Sequence, residues 1–189
     1  MPESAWATCV ISAGCPLGLE EFVTRHAAHD RTHGKQIEGI LERHALLGRL
    51  HAMPGELAAL LELATAPGEE VRQVLQRLAD AERRYLLAYA RILEQDRPQL
   101  GWLAATQEPP ARPAAALATL RRDFEKLRGA THALLYASGP RAWQRRGIDP
   151  RLGERTMAEL VARQLDHDDE SLAALRDVLT WAPASSPPR

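Results

Sequence analysis

Cysteine is nearly absent: Cys9 and Cys15 are the two in 189 residues. They sit in MPESAWATCVISAGCPLG, which has no basic start followed by an apolar core and so does not read as an export signal. A pair of reduced thiols is favoured there over a disulfide, and a cytoplasmic protein is expected. No apolar run approaches the roughly 20 residues of a membrane span, so no membrane partner is expected. Neither sign of charge dominates, with 24 Lys and Arg against 25 Asp and Glu. That balance argues against a nucleic-acid surface. No stretch alternates polar and apolar residues as a half-buried strand would. The length suits one ordinary domain, or one domain and a fragment.

What the chain does contain is one helical segment twice. Gly18 to Leu41 (GLEEFVTRHAAHDRTHGKQIEGIL) aligns without a gap on Thr156 to Leu179 (TMAELVARQLDHDDESLAALRDVL). His29-Asp30 falls on His167-Asp168, and Glu21, Val23, Arg25 and Leu41 fall on identical residues. Matching apolar positions are expected of any two amphipathic helices. A shared His-Asp pair at the same phase is not.

Taken in order, residues 1–17 read as an irregular lead-in. A helical stripe of Leu19, Phe22, Val23, Ile37, Ile40 and Leu41 follows, to about His44. Gly34 and Gly39 weaken it by up to about 1 kcal/mol each. Helix formers continue to Met53, where Pro54 predicts a break and the start of a new helix to Ala64. TAPG at 65–68 is a turn signal. Glu69 to Gln95 has the widest apolar face, from Val71 through Tyr85 and Tyr89 to Ile92. Arg97-Pro98 closes it and a proline-rich loop follows. The next helix is expected over Pro113–Ser138, then a loop over Arg141–Arg155. Thr156 caps the last helix, with Glu159 at capping-box spacing. PASSPPR at the end is expected to be disordered. The class is all-α, with the core made of shared apolar stripes.

Several segments resemble the DinB-like superfamily. HAAHDRTHGKQIEGIL is similar to that family's last helix, with its His-Asp-x-x-His-Leu motif. EEVRQVLQRLADAERRYLLAYARILEQDRP resembles the second helix, where a His-Leu-x-x-x-Glu pattern occurs. ASGPRAWQRRGIDPRLGERTMAELVARQLDHDDESLAAL resembles the third loop and fourth helix. The resemblance covers about residues 45–181 and implies a DinB-like four-helix bundle with an extra N-terminal helix, often homodimeric. It also implies a divalent metal, nickel or zinc for instance, held by three histidines in thiol-dependent transferases, isomerases and hydrolases. Residues 1–44 then read as the remnant of a preceding repeat, with Ala5-Trp6 placed like Ala142-Trp143, and 182–189 as a tail.

The chain departs from that pattern at the ligands. Arg77 stands at the second-helix His position and Ser171 at the second His of the last helix. Arginine offers no lone pair to a metal, and its fixed charge repels one. The front copy keeps both histidines: His29 and His33, four apart, share one helix face. Either they bind a metal, with a third ligand from His26, His167 or a partner chain, or they belong to a solvated remnant. His167, among the acids Asp166, Asp168, Asp169 and Glu170, is otherwise a surface or bundle-lining histidine. Arg77 is a candidate to pair with the acidic neighbours of His167, with Asp80 and Glu82 the other polar groups of its helix. Trp143 with Arg145, Arg146 and Arg151 would make an anion-binding mouth, or else a loop rich in arginine for solubility. The exposed apolar stripe of the extra helix must be covered, in cis, by a swap, or by a homodimer, which is the favoured arrangement. Two functions compete. One is a non-catalytic bundle serving dimerisation or small-molecule binding. The other is a metal-dependent thiol transferase or hydrolase using His29 and His33.

Overall fold

The structure is a computed structural model that describes residues 9–12, 15–63, 68–101 and 116–180. The chain divides into two compact units, Met1–Glu42 and Arg43–Arg189. The class is all-α. The expected irregularity of the lead-in and absence of strands are both corrected by two small hairpins. β1 (Cys9–Ser12) pairs antiparallel with β2 (Cys15–Gly18), Cys9 opposite Gly18. The cysteine side chains, Ala5-Trp6, the TAPG turn before Gly68, the proline-rich loop over 102–115 and the tail after Thr180 lie outside the described residues.

Helix α1 runs Leu19–Glu62 and contributes to both units. In the first unit its apolar side chains Val23, Ile37, Ile40 and Leu41 are exposed. In the second unit Leu47, Leu50, Met53 and Leu57 are buried. The expected break at Pro54 does not occur. Proline removes one helical hydrogen bond, but burial of Met53 and Leu57 on either side holds the backbone helical through it.

The second unit is a bundle of this part of α1 with α2 (Glu69–Glu94), α3 (Leu117–Ala137) and α5 (Met157–Thr180). Two apolar clusters fill it. Leu47, Leu50, Tyr89, Leu135, Trp143 and Leu160 belong to one, and Met53, Leu57, Val74, Leu75, Phe124 and Leu172 to the other. α2 carries the most continuous buried face, as its Val71-to-Ile92 spacing dictates.

The expected loop over Arg141–Arg155 is instead a short helix α4 (Pro140–Trp143) and a hairpin of β3 (Arg146–Asp149) with β4 (Gly153–Thr156). Its backbone is held from outside: Leu100 N–H donates to Ile148 O and Ile148 N–H to Pro98 O, each at 2.8 Å. Asp149 Oδ1 accepts from the N–H groups of Arg151 and Leu152 at 2.8 and 3.0 Å, and Gly153 takes φ +74° to close the turn. Gly147 lies under Leu100 and Ile92, where a Cβ would come within 2.6 Å of Leu100 Cδ1. Thr156 then caps α5 as its sequence predicts. Its N–H donates to Glu159 Oε2 at 2.7 Å, and Glu159 N–H returns a bond to Thr156 Oγ1 at 3.2 Å.

Candidate functional site

Charge lies inside the bundle. Arg128 on α3 is buried; its Nη2 donates to Asp168 Oδ2 on α5 and forms an ion pair with Glu82 Oε2 on α2, each at 2.8 Å. Gln164 Nε2 donates to the same Glu82 oxygen at 2.7 Å, and Tyr89 OH donates to Gln164 Oε1 at 2.7 Å. The result is a continuous polar relay across three helices. Burial pushes the Asp168 carboxyl up to about 6, against the pull of Arg128. Burial also raises the Tyr89 hydroxyl well above its ordinary value, so it stays a donor. Arg128 Nε and Nη1, Glu82 Oε1 and Thr131 Oγ1 are buried with no partner among the described residues.

Beside this relay, α2, α5 and the β3–β4 hairpin enclose a cleft of about 440 Å³. Arg84 and Tyr85 line it from α2, Arg151 from the hairpin, and Arg163, His167 and Glu170 from α5. Among the described residues no carboxylate is within ion-pairing distance of Arg84, Arg151 or Arg163. Burial raises Tyr85, and the positive charge of Arg163 beside it opposes that shift. Burial lowers His167, and Arg84, Arg77 and Arg128 lower it further against Glu170. His167 is therefore a neutral imidazole at neutral pH, with Nδ1 buried and unpartnered.

The ion pair expected between Arg77 and the acids near His167 is not formed. Arg77 is exposed, and the buried pairing is made by Arg128. Arg128 was legible in one respect. It continues the spacing of Leu120 and Phe124 toward Thr131 and Leu135, a charged residue in an apolar stripe. Of the expected anion mouth only Arg151 reaches the cleft. Trp143 is buried, with its Nε1 donating to Leu135 O at 3.3 Å. Arg145 donates to the carbonyls of Leu93 and Gln95, and Arg146 to Glu154. Asp80, the remaining polar group of α2, accepts from Gln76 and Arg83.

In the first unit His29 and His33 are brought together on α1, Nε2 to Nε2 at 3.1 Å. The His26 ring packs on Phe22, centroids 4.1 Å apart. His167 belongs to the second unit. Among the described residues no group of three His, Cys, Asp or Glu side chains is placed to hold a metal. In the bundle, His167 stands near Arg77 and Arg84, with Ser171 one turn on. These residues do not fit a three-histidine divalent centre there, because the donors are missing and the neighbours are cations.

The second unit is thus a four-helix bundle with a charged interior and a cleft at one side. No family model and no curated protein matches the chain. Among solved structures it is similar in fold to YfiT from Bacillus subtilis, described as a probable metal-dependent hydrolase with an unusual four-helix bundle topology. The TM-score is 0.59 at 19% identity, over 74% of this chain and 89% of that one. Among the described residues, no helix is long and apolar enough to cross a membrane.

Proposed function

We propose that the second unit is a non-catalytic, DinB-like binding module that takes a small oxyanion, a carboxylate or a phosphate, in the cleft of Arg84, Arg151 and Arg163. The observation that carries this reading is the convergence of three guanidiniums, none paired with a carboxylate, on one concave surface. Guanidinium forks recognise carboxylate and phosphate in two-pronged geometry. Tyr85 and neutral His167 add hydrogen-bonding groups that fix orientation. The cleft is also lined by the carboxylates Asp149, Asp166 and Glu170. Asp149 is engaged in its own turn, and none of the three is ion-paired with these arginines, whose forks stay open to a ligand. The test is calorimetric titration of the full chain with inorganic phosphate and, separately, with succinate. Binding of either that falls at least tenfold in both Arg84→Ala and Arg163→Ala supports the reading, and the stronger of the two identifies the oxyanion class. Binding of neither, or binding indifferent to both substitutions, rejects it.

A second reading is a metal-dependent hydrolase or thiol transferase, in line with the description of YfiT, using His29 and His33 as ligands of nickel or zinc. The 3.1 Å approach of their Nε2 atoms favours it. Such a metal would supply a bound water or thiol of lowered pKa, and the two imidazoles would hold it. Metal-stimulated ester hydrolysis lost in His29→Ala would support this reading over the first.

A further inference from the structure

We propose that His29 and His33 from two copies of this chain form one four-nitrogen site for a divalent cation of the zinc type. The site lies on an antiparallel, two-fold pairing of the first half of α1. The inference is independent of the cleft. It competes with the catalytic reading of the same two histidines, because a site closed by four protein nitrogens has no open position for water or substrate.

The donor geometry comes first. Zinc takes imidazole nitrogen at about 2.0–2.1 Å in a tetrahedral arrangement, which places two ligands of one ion about 3.3 Å apart. The Nε2 atoms of His29 and His33 stand 3.1 Å apart in a direct hydrogen bond, so one of them carries a proton that an ion would displace. Both side chains are exposed and free to turn from their edge-to-face packing, centroids 4.3 Å apart, toward a common ion. The Asp30 carboxylate lies 3.7 Å from His29 Nδ1. That distance is longer than a hydrogen bond, but a proton drawn to Nδ1 by the carboxylate leaves the lone pair on Nε2.

Two nitrogens are half a site. Among the described residues no third ligand joins them, and His26 is packed on Phe22. The surrounding sequence says what supplies the other half. Phe22 precedes His29 by seven residues and Ile40 follows His33 by seven, so the four lie along a single stripe. That spacing is symmetric about Arg31. An antiparallel second copy with its two-fold axis there sets His29 opposite His33, and Phe22 opposite Ile40, at both ends. This is the self-complementarity an isologous interface requires. Ile40 in the stripe and Ile37 beside it are 45% and 58% exposed and are covered by the same contact. One pair of helices is small against the roughly 1,200–2,000 Å² of a standard stable interface. The pairing therefore depends on the ion, and the first unit acts as a metal-gated dimerisation helix.

The full chain, stripped with a chelator, is titrated with zinc alone and followed by sedimentation velocity and calorimetry. The expected result is a monomer that becomes a dimer with one zinc per two chains, reversed by the chelator. His29→Ala and His33→Ala each abolish both the binding and the dimer. Ile40→Glu leaves the ligands in place but raises the protein concentration needed for dimerisation at least tenfold. Both histidines are exposed, so these variants retain the fold, which circular dichroism verifies. One zinc per chain with no change in mass overturns the proposal. So does the absence of zinc binding, a dimer indifferent to zinc, or a zinc-linked dimer that survives in either histidine variant.

Discussion

His29-Asp30 and His167-Asp168 occupy the same phase of the duplicated helix, yet their surroundings share almost nothing. The side chains of His29 and Asp30 are 69% and 84% exposed. Asp168 is 3% exposed and held by Arg128, which it shares with Glu82. The first pair keeps a second histidine one turn on, whereas the second has Ser171. The first helix follows directly from Gly18 of β2, and the second starts on Thr156, the aligned residue, in a capping box. An identical dipeptide is therefore solvated in one unit, while in the other its Asp168 joins a buried ion network and its His167 lines the cleft. What separates them is the neighbour on the adjacent helix. The packing of α5 buries the second carboxylate, and a single guanidinium from α3 supplies its counter-charge.

The largest effect that would test this contrast is the removal of that guanidinium. Arg128→Ala leaves Glu82 and Asp168 buried without a counter-cation, and a loss of about 3–5 kcal/mol is expected in denaturant unfolding. A loss below about 1 kcal/mol would mean the interior network is not what distinguishes the two copies.

Next is the pH dependence. Asp168 titrates at about 6 in the folded protein against an ordinary 3.8. The folded state thus holds an extra proton between those values. The contribution of Asp168 to stability is greatest below its ordinary value and is lost as pH rises through about 4 to 6. Asp168→Asn should flatten that part of the stability profile, and an unchanged slope would assign it to other groups.

Thr156→Ala should cost about 1 kcal/mol by removing the cap that only the second copy possesses. The smallest effect belongs to the first copy: Asp30→Ala should change unfolding stability by no more than about 0.5 kcal/mol. A larger loss would show that its surroundings are less solvated than those of a free helix face.

Much of the bundle could be read from the residues because α2 and α5 announce their buried faces by spacing, and Thr156 with Glu159 announces a start. The features that escaped depend on distant partners. Pro54 obeys a local rule that predicts a break, and the burial of Met53 and Leu57 overrides it. Four-residue strands at Arg146–Asp149 and Gly153–Thr156 carry no alternation, and backbone bonds to Pro98 and Leu100 help to hold them. Arg128 escapes a reading by residue type because arginine on a helix defaults to solvent, although its register matches Phe124 and Leu135. Arg84 and Arg163, the cleft residues from α2 and α5, differ in sequence from other surface arginines by nothing visible. Only the packing of the two helices against the hairpin brings them together with Arg151.

The closeness of Gly147 to the end of α2 has a consequence for how this chain tolerates change. Connecting segments ordinarily accept substitution more readily than the elements they join. Here the missing side chain is what lets the hairpin lie flat on Leu100, which is itself wholly buried and cannot swing aside. In a library randomised at every codon, position 147 should return glycine almost alone, a core-like intolerance inside what the sequence presents as a connector.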